Sequence, residues 1–359
     1  MRAALARWHR WAGLAAAAFW GIQALTGVLI VFHWEIEDAM IAGAHRVTDL
    51  DAIERRAVDL APPGSGKTIG SIWTTGGAPD RYDIHIRADD PALARSVRID
   101  GGGSVLRDSD VDRGAAKGGW VGTLVAIHHD LTGGEIGRRI LGISGVLLLT
   151  NIIAGLAVAW PRRGQWRRSL RPPGAGAPAA RYYGWHRALG LWVAVPAIAT
   201  IGAGVLLSFD TAVDAAVAPP PIEAPADSPA GAVTVGLAGA ARTALATFPG
   251  SKLAAIYPPD GDRPVWRIRV TQPDEARRAY GATTVFVSAV DGSVVGQSDA
   301  VRVPARRAFV DGLFPFHTGE MGGVAGRIAV AAIGLWLITM IVVGWALWAT
   351  RRRMRKGGK

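Results

Sequence analysis

Four histidines have the residue type and the spacing to do chemistry together. His9 lies in WHRWAGL and His186 in WHRALGLW, each followed by an arginine (Arg10 and Arg187) at the mouth of a long apolar run. His128 opens HHDLTGGEIGRR and His317 lies in FHTGEMGGVAGR, each upstream of a Gly-Arg pair, Gly137–Arg138 and Gly326–Arg327. Two imidazoles that meet from opposite sides can supply both axial ligands of a b-type haem, and the interiors of helix bundles are common cofactor sites. A histidine at a membrane edge also has a plainer use, among headgroups and water. The elements that carry the four residues decide between these uses.

Those elements are apolar. Half of the 359 residues are hydrophobic, and mean hydropathy is +0.21. Four runs, residues 11–32, 140–160, 189–209 and 328–349, contain no Asp, Glu, Lys or Arg. Each has the roughly 20 residues that a helix needs to cross a bilayer. The net charge of +11 calls for no nucleic acid. Arg2, Arg7 and Arg10 precede the first run. Arg162, Arg163, Arg167, Arg168, Arg171, Arg181 and Arg187 crowd the link between the second and third. Arg351, Arg352, Arg353, Arg355, Lys356 and Lys359 follow the fourth. All three clusters fall on one side of a four-pass chain, and the positive-inside rule makes that side cytoplasmic. Both termini are then expected inside. A cleaved signal peptide is the competing reading of the start, with AGA before His45 as its cleavage site; the apolar run is too long for it, and HWEIED intervenes.

The runs repeat. Trp8 aligned with Trp185 sets an offset of 177, which also pairs His9 with His186, Gly13 with Gly190 and Gly27 with Gly204. An offset of 189 pairs His128 with His317, Arg138 with Arg327, Gly145 with Gly334 and Gly155 with Gly344. The chain reads as a duplicated unit of helix, outside segment and helix. Parallel repeats are related by an axis along the membrane normal, so equivalent residues face each other at equal depth. His9 and His186 then form an inner pair, and His128 and His317 an outer one. About two b-type haems per chain are expected.

Arg10, Arg187, Arg138 and Arg327 suit haem propionates, since guanidinium matches carboxylate; interfacial anchoring is the other reading. The paired glycines permit close approach of helices or of a flat macrocycle. His33, opposite Asp210 in the repeat, and His129, opposite Thr318, are further ligand candidates near the outer pair. His85 shares a strand face with Asp83 and Arg87, so solvation is expected, and His45 has no partner in the pattern. APPGSGKT at residues 61–68 ends like a phosphate loop but lacks the first glycine and a preceding strand, and reads as an exposed turn. No G-x-G-x-x-G fingerprint occurs. The absence of cysteine removes disulfides, iron–sulfur clusters, c-type haem attachment and catalytic thiols.

The two outside segments echo each other. RYDIHIRADD and PVWRIRVTQP both alternate with period two and lead to a glycine-containing hairpin, so each segment is expected to form a small α+β domain with its own antiparallel sheet. The Pro/Ala-rich stretch at residues 218–232 is a linker into the second. The map places the cytoplasmic N-terminus and first helix at 1–33, an outer domain at 34–138, helices at 139–161 and 188–209 flanking a basic loop at 162–187, a second outer domain at 210–326, the fourth helix at 327–350 and a basic tail at 351–359.

WHRWAGLAAAAFWGIQALTGVLIVFHWEIE, HHDLTGGEIGRRILGISGVLLLTNIIAGLAVAWPRR and WHRALGLW together resemble the PepSY-associated transmembrane family of bacterial inner-membrane proteins, over nearly the whole chain. The resemblance implies a four-helix membrane bundle with two periplasmic PepSY-like α+β insertions. It further implies a haem-containing reductase that releases iron from ferric siderophores in the periplasm, with His9 and His186 as inner ligands and His128 and His317 as outer ones. The chain departs from the pattern where Asp210 replaces a histidine like His33. The expected activity is a transmembrane ferric-chelate reductase. Its partners are the lipid bilayer, a quinol or a separate cytoplasmic flavin reductase as donor, and a periplasmic ferric chelate as acceptor. A non-redox binding or regulatory membrane protein is the alternative; a transporter, which usually carries broken helices and polar residues at mid-depth, ranks below both, since Pro196, Gln23, Thr150, Asn151 and Thr339 are its few candidates.

Overall fold

A computed structural model describes residues 1–43, 45–90, 93–110, 119–224, 231–259, 264–276 and 280–357. Residues 225–230 of the expected linker, Ala44 of the competing cleavage site and Lys359 of the basic tail lie outside the described residues. Among the described residues the order is α1 (Arg2–Ile30), α2 (His33–Met40), α3 (Leu50–Leu60), β1 (Lys67–Thr74), β2 (Arg81–Ala88), β3 (Arg95–Asp100), β4 (Val105–Asp110), α4 (Trp120–Asp130), α5 (Gly134–Ala159), α6 (Trp166–Leu170), α7 (Pro178–Ser208), α8 (Asp210–Val217), α9 (Leu237–Thr247), β5 (Lys252–Tyr257), β6 (Val265–Thr271), β7 (Thr283–Ser288), β8 (Val294–Ser298), α10 (Ala305–Thr318) and α11 (Gly323–Gly357). The chain divides into two compact units. One comprises Met1–Val31, Leu124–Val213 and Phe316–Lys359; the other comprises Phe32–Thr123 and Asp214–Pro315.

The first unit is a bundle of the four long helices. α1 packs on α5, α5 on α7, α7 on α11 and α11 on α1, which closes a ring. The shortest, α5, has 26 residues, so at 1.5 Å per residue it spans about 39 Å, more than a hydrocarbon core of about 30 Å. All four are long and apolar enough to cross a membrane. Their outer surfaces expose Ile22, Leu25, Ile143, Val195 and Val342. A helix that is apolar on its outside as well as its inside belongs in lipid, so this is a multi-pass membrane protein. Trp20, Leu148, Ile152, Ala194, Ala197 and Trp336 fill the centre. The two indoles are both satisfied: Trp20 donates to Ser144 Oγ (3.0 Å) and Trp336 to the Leu189 carbonyl (3.0 Å).

His128 and His317 are carried by α4 and α10, separate helices that turn tightly into α5 and α11. Leu131, Thr132 and Gly134 at the first turn, and Gly319 and Gly323 at the second, have positive φ. The Gly-Arg pairs noted in the sequence make these turns possible. A Cβ on Gly137 would lie 1.7 Å from the Asp130 carbonyl oxygen, and one on Gly326 would lie 2.3 Å from that of Gly319. Only glycine lets each long helix start against the end of the helix before it.

The second unit corrects one expectation. The two outside segments do not form separate sheets. They join in a single antiparallel sheet of order β4-β3-β2-β1-β5-β6-β7-β8. The junction pairs β1 with β5 through Ile72 with Ile256 and Trp73 with Ala255. A four-stranded meander leaves its first strand as an open edge, and pairing the two edges satisfies both. Period-two alternation sends Ile72, Ile84, Val97, Ile256, Ile268 and Val285 to one face, where they form one core with Ile53 of α3 and Ala240 and Ala244 of α9. Residues 61–66 form turns ahead of β1, as expected, and Lys67 and Thr68 open the strand. His85 is half-buried rather than solvated, and desolvation lowers its pKa.

The opposite side of the β2–β4 meander binds α2 through a buried ion network. Arg98 donates to both oxygens of Asp83 (2.8 and 2.6 Å) and to Asp38 Oδ1 (3.1 Å). Arg81 donates to the Asp38 carbonyl (2.9 Å) and Arg107 to Glu37 Oε1 (2.6 Å). The second Asp38 oxygen accepts from Thr75 Oγ1 and from the Ala78 amide.

Candidate functional site

The bundle brings the four histidines together in the two pairs expected. The rings of His9 on α1 and His186 on α7 have centroids 5.9 Å apart, tilted by 59°. Those of His128 and His317 are 6.3 Å apart and nearly parallel, at 25°. Two imidazole nitrogens that bind one metal ion from opposite sides, each at about 2 Å, place their ring centroids about 6 Å apart. Both separations meet that requirement.

Hydrogen bonds prepare the rings for it. His9 Nδ1 donates to the Asn151 carbonyl (2.9 Å), His128 Nδ1 to the Gln23 carbonyl (3.1 Å) and His317 Nδ1 to the Thr200 carbonyl (2.9 Å). Thr26 Oγ1 is also 3.2 Å from His128 Nδ1. His186 faces the backbone of Met340, at a geometry that leaves its buried Nδ1 without a hydrogen bond. A proton held on Nδ1 by a carbonyl leaves Nε2 with its lone pair, which is the usual arrangement behind a metal-bound imidazole.

Each ring also lies on a glycine. A Cβ at Gly155 would come within 2.6 Å of His9 Cε1, one at Gly344 within 3.3 Å of His186 Cε1, one at Gly27 within 2.8 Å of His128 Cε1, and one at Gly204 within 2.6 Å of His317 Cε1. The four glycines are the ones that recur at equivalent positions in the sequence. A methyl group at three of them would displace the ring. The donor set and the glycine cradles therefore fit bis-imidazole ligation at two levels. Ligation of that kind uses pairs and needs no cluster of three or more metal-ligating side chains; none occurs among the described residues.

The remaining candidates fall elsewhere. Arg138 pairs with Asp210 Oδ2 (2.7 Å), and the fully buried Arg327 donates through Nε to the Val31 carbonyl (3.2 Å). Arg187 donates to the Ala159 carbonyl (3.1 Å), and Arg10 stacks on Trp11 at 5.2 Å. A propionate role for Arg138, Arg187 or Arg327 requires an exchange of those partners. His129 is exposed on α4. His33 opens α2 in the second unit, 4.7 Å from the Trp34 ring. Sequence reading missed the carbonyls of Gln23, Asn151 and Thr200. Gln23 and Thr200 are equivalent positions, as are Asn151 and Met340, but a main-chain acceptor carries no residue-type signal.

Residues 6–351 match the family model described as PepSY-associated TM region. No curated protein matches the chain at a significant level.

Proposed function

The chain belongs to the PepSY-associated transmembrane family, and from its two facing histidine pairs we propose that it is a two-haem membrane electron conduit, an oxidoreductase that reduces a ferric siderophore or another ferric chelate outside the bacterial inner membrane. The observation that carries this reading is the pairing itself: rings 5.9 and 6.3 Å apart, with Nδ1 of three of the four donating to a backbone carbonyl. Haem b held at each pair supplies one-electron chemistry at its iron.

The chain's own residues do the rest. Asn151, Gln23 and Thr200 fix ring orientation and tautomer through their carbonyls. Gly27, Gly155, Gly204 and Gly344 let the rings stand against neighbouring helices. Trp20 and Trp336 pack the centre of the bundle and exclude water from it. The basic clusters favour a cytoplasmic face at His9 and His186, which makes the sheet unit periplasmic. A quinol or a separate cytoplasmic flavin reductase serves as donor. The duplicated-unit reading is supported by the shared contacts of Gly27 with Gly204 and Gly155 with Gly344, and by a strand order that reads the same from β1 and from β5.

The test is a haem-to-protein ratio with a reduced-minus-oxidised spectrum on the purified full chain. About two b-type haems are expected. His9→Ala and His186→Ala should each remove one and the same haem, and His128→Ala and His317→Ala the other. Protein from haem-replete cells with no Soret band would sink the proposal. Loss of different haems in His9→Ala and His186→Ala would overturn the pairing.

A further inference from the structure

We propose that the sheet face turned away from α3 and α9 carries a binding site for an anionic small molecule with aromatic oxygen donors, of the catecholate class, built by Arg267, Arg269, Trp73 and Tyr257. Alternation on β6 sends Trp266, Ile268 and Val270 into the core, so Arg267 and Arg269 stand together on the other face. Strand register brings aromatic residues beside them. Tyr257 is paired with Arg267, and Ala255 lies between Trp73 and Arg269. Arg267 lies over the Tyr257 ring at 3.8 Å, and Arg269 over the Trp73 ring at 5.7 Å. Trp73 meets Tyr257 and Tyr280 edge-on, at 5.4 and 4.9 Å.

The charges on this face are uneven. Arg81, Arg98 and Arg107 are matched by Asp38, Asp83 and Glu37. Arg267 and Arg269 have no carboxylate and no hydrogen bond among the described residues, and Arg269 Nε is buried without a partner. A guanidinium stacked on a ring keeps its N–H edge free, and that edge matches paired anionic oxygens. The flanking indole and phenol offer faces and edges to an aromatic ligand. Charge and π-surface together select an anionic aromatic ligand over a neutral or cationic one. As a place for the acceptor this rests on the conduit proposed above; as a binding site it stands by itself.

The experiment uses the full chain in phosphatidylcholine nanodiscs and a redox-inert gallium(III) tricatecholate complex, with binding read by calorimetry. Wild type should bind. The Arg267→Gln/Arg269→Gln double variant should bind at least about tenfold more weakly, as expected for lost hydrogen bonds to a charged group. Trp73→Leu should also weaken binding, with circular dichroism of both variants unchanged. No binding by wild type, or equal binding by the double variant, overturns the proposal. Loss of binding when the nanodiscs contain phosphatidylglycerol would assign the face to anionic lipid and overturn it too. Gallium(III) cannot be reduced here, so the result is independent of haem. A haem-free chain that binds the complex sinks the conduit alone, and a haem-replete chain that ignores it sinks only this site.

Discussion

The histidine pairs are positioned by residues that have no chemistry of their own. Gly155 and Gly344 occupy equivalent positions, yet their clearances differ: 2.6 Å to His9 and 3.3 Å to His186. His9 is also tied to Asn151, so its ring has little freedom to retreat. Gly155→Ala should therefore destabilise the protein by about 1–3 kcal/mol through overpacking and lower haem occupancy at the inner pair. Gly344→Ala should do markedly less. Thermal unfolding and the haem-to-protein ratio of the two variants check this. Equal effects would mean that the ring at Gly155 moves freely and that the cradle is not selective.

At the scale of elements, the network around Arg98 fastens α2 to the sheet. Arg98 is 4% exposed, and its removal leaves Asp38 and Asp83 with less compensation in a dry setting. Breaking one partner of a buried ion network costs about 3–5 kcal/mol, because the stranded charge remains. Arg98→Leu should lower unfolding stability by that order, measured by calorimetry on the full chain. Arg98→Leu/Asp83→Leu should recover part of the loss. A drop well below about 1 kcal/mol for the single variant would show that water reaches the carboxylates and relieves them. The turns from α4 into α5 and from α10 into α11 are the other rigid elements, since Gly137 and Gly326 touch the preceding backbone.

For the whole molecule, the decisive question is sidedness. Sixteen Arg and Lys residues occupy the three basic segments at the ends of the long helices, and those segments contain no Asp or Glu. In the proposed topology, with these Lys and Arg residues on the cytoplasmic side, His128 and His317 lie in the outer leaflet. In sealed vesicles of known orientation, pre-reduced protein should be reoxidised quickly by a membrane-impermeant ferric chelate on the periplasmic face. Fast reoxidation from the cytoplasmic face alone would reject the direction of flow and the iron-release role with it.

The four membrane helices were legible from composition, because a run of about 20 uncharged apolar residues has few soluble uses. The histidine pairs and their glycines were legible from the repeat, since equivalent positions carry equal side chains. What the residues could not reveal is how the two outside segments combine. Each strand of the sheet was visible in its alternation, but the pairing of β1 with β5 depends on main-chain edges that any sequence presents. The same holds for the Nδ1 acceptors: Gln23, Asn151 and Thr200 act through carbonyls, so their side chains gave no signal. The Arg98 network draws on four segments of chain, and the two arginines of β6, which have no carboxylate among the described residues, stand out only once their neighbours are seen to be paired. Side-chain chemistry and periodicity are written along the chain, whereas contacts made by backbone, and the lack of a partner, are properties of three-dimensional proximity.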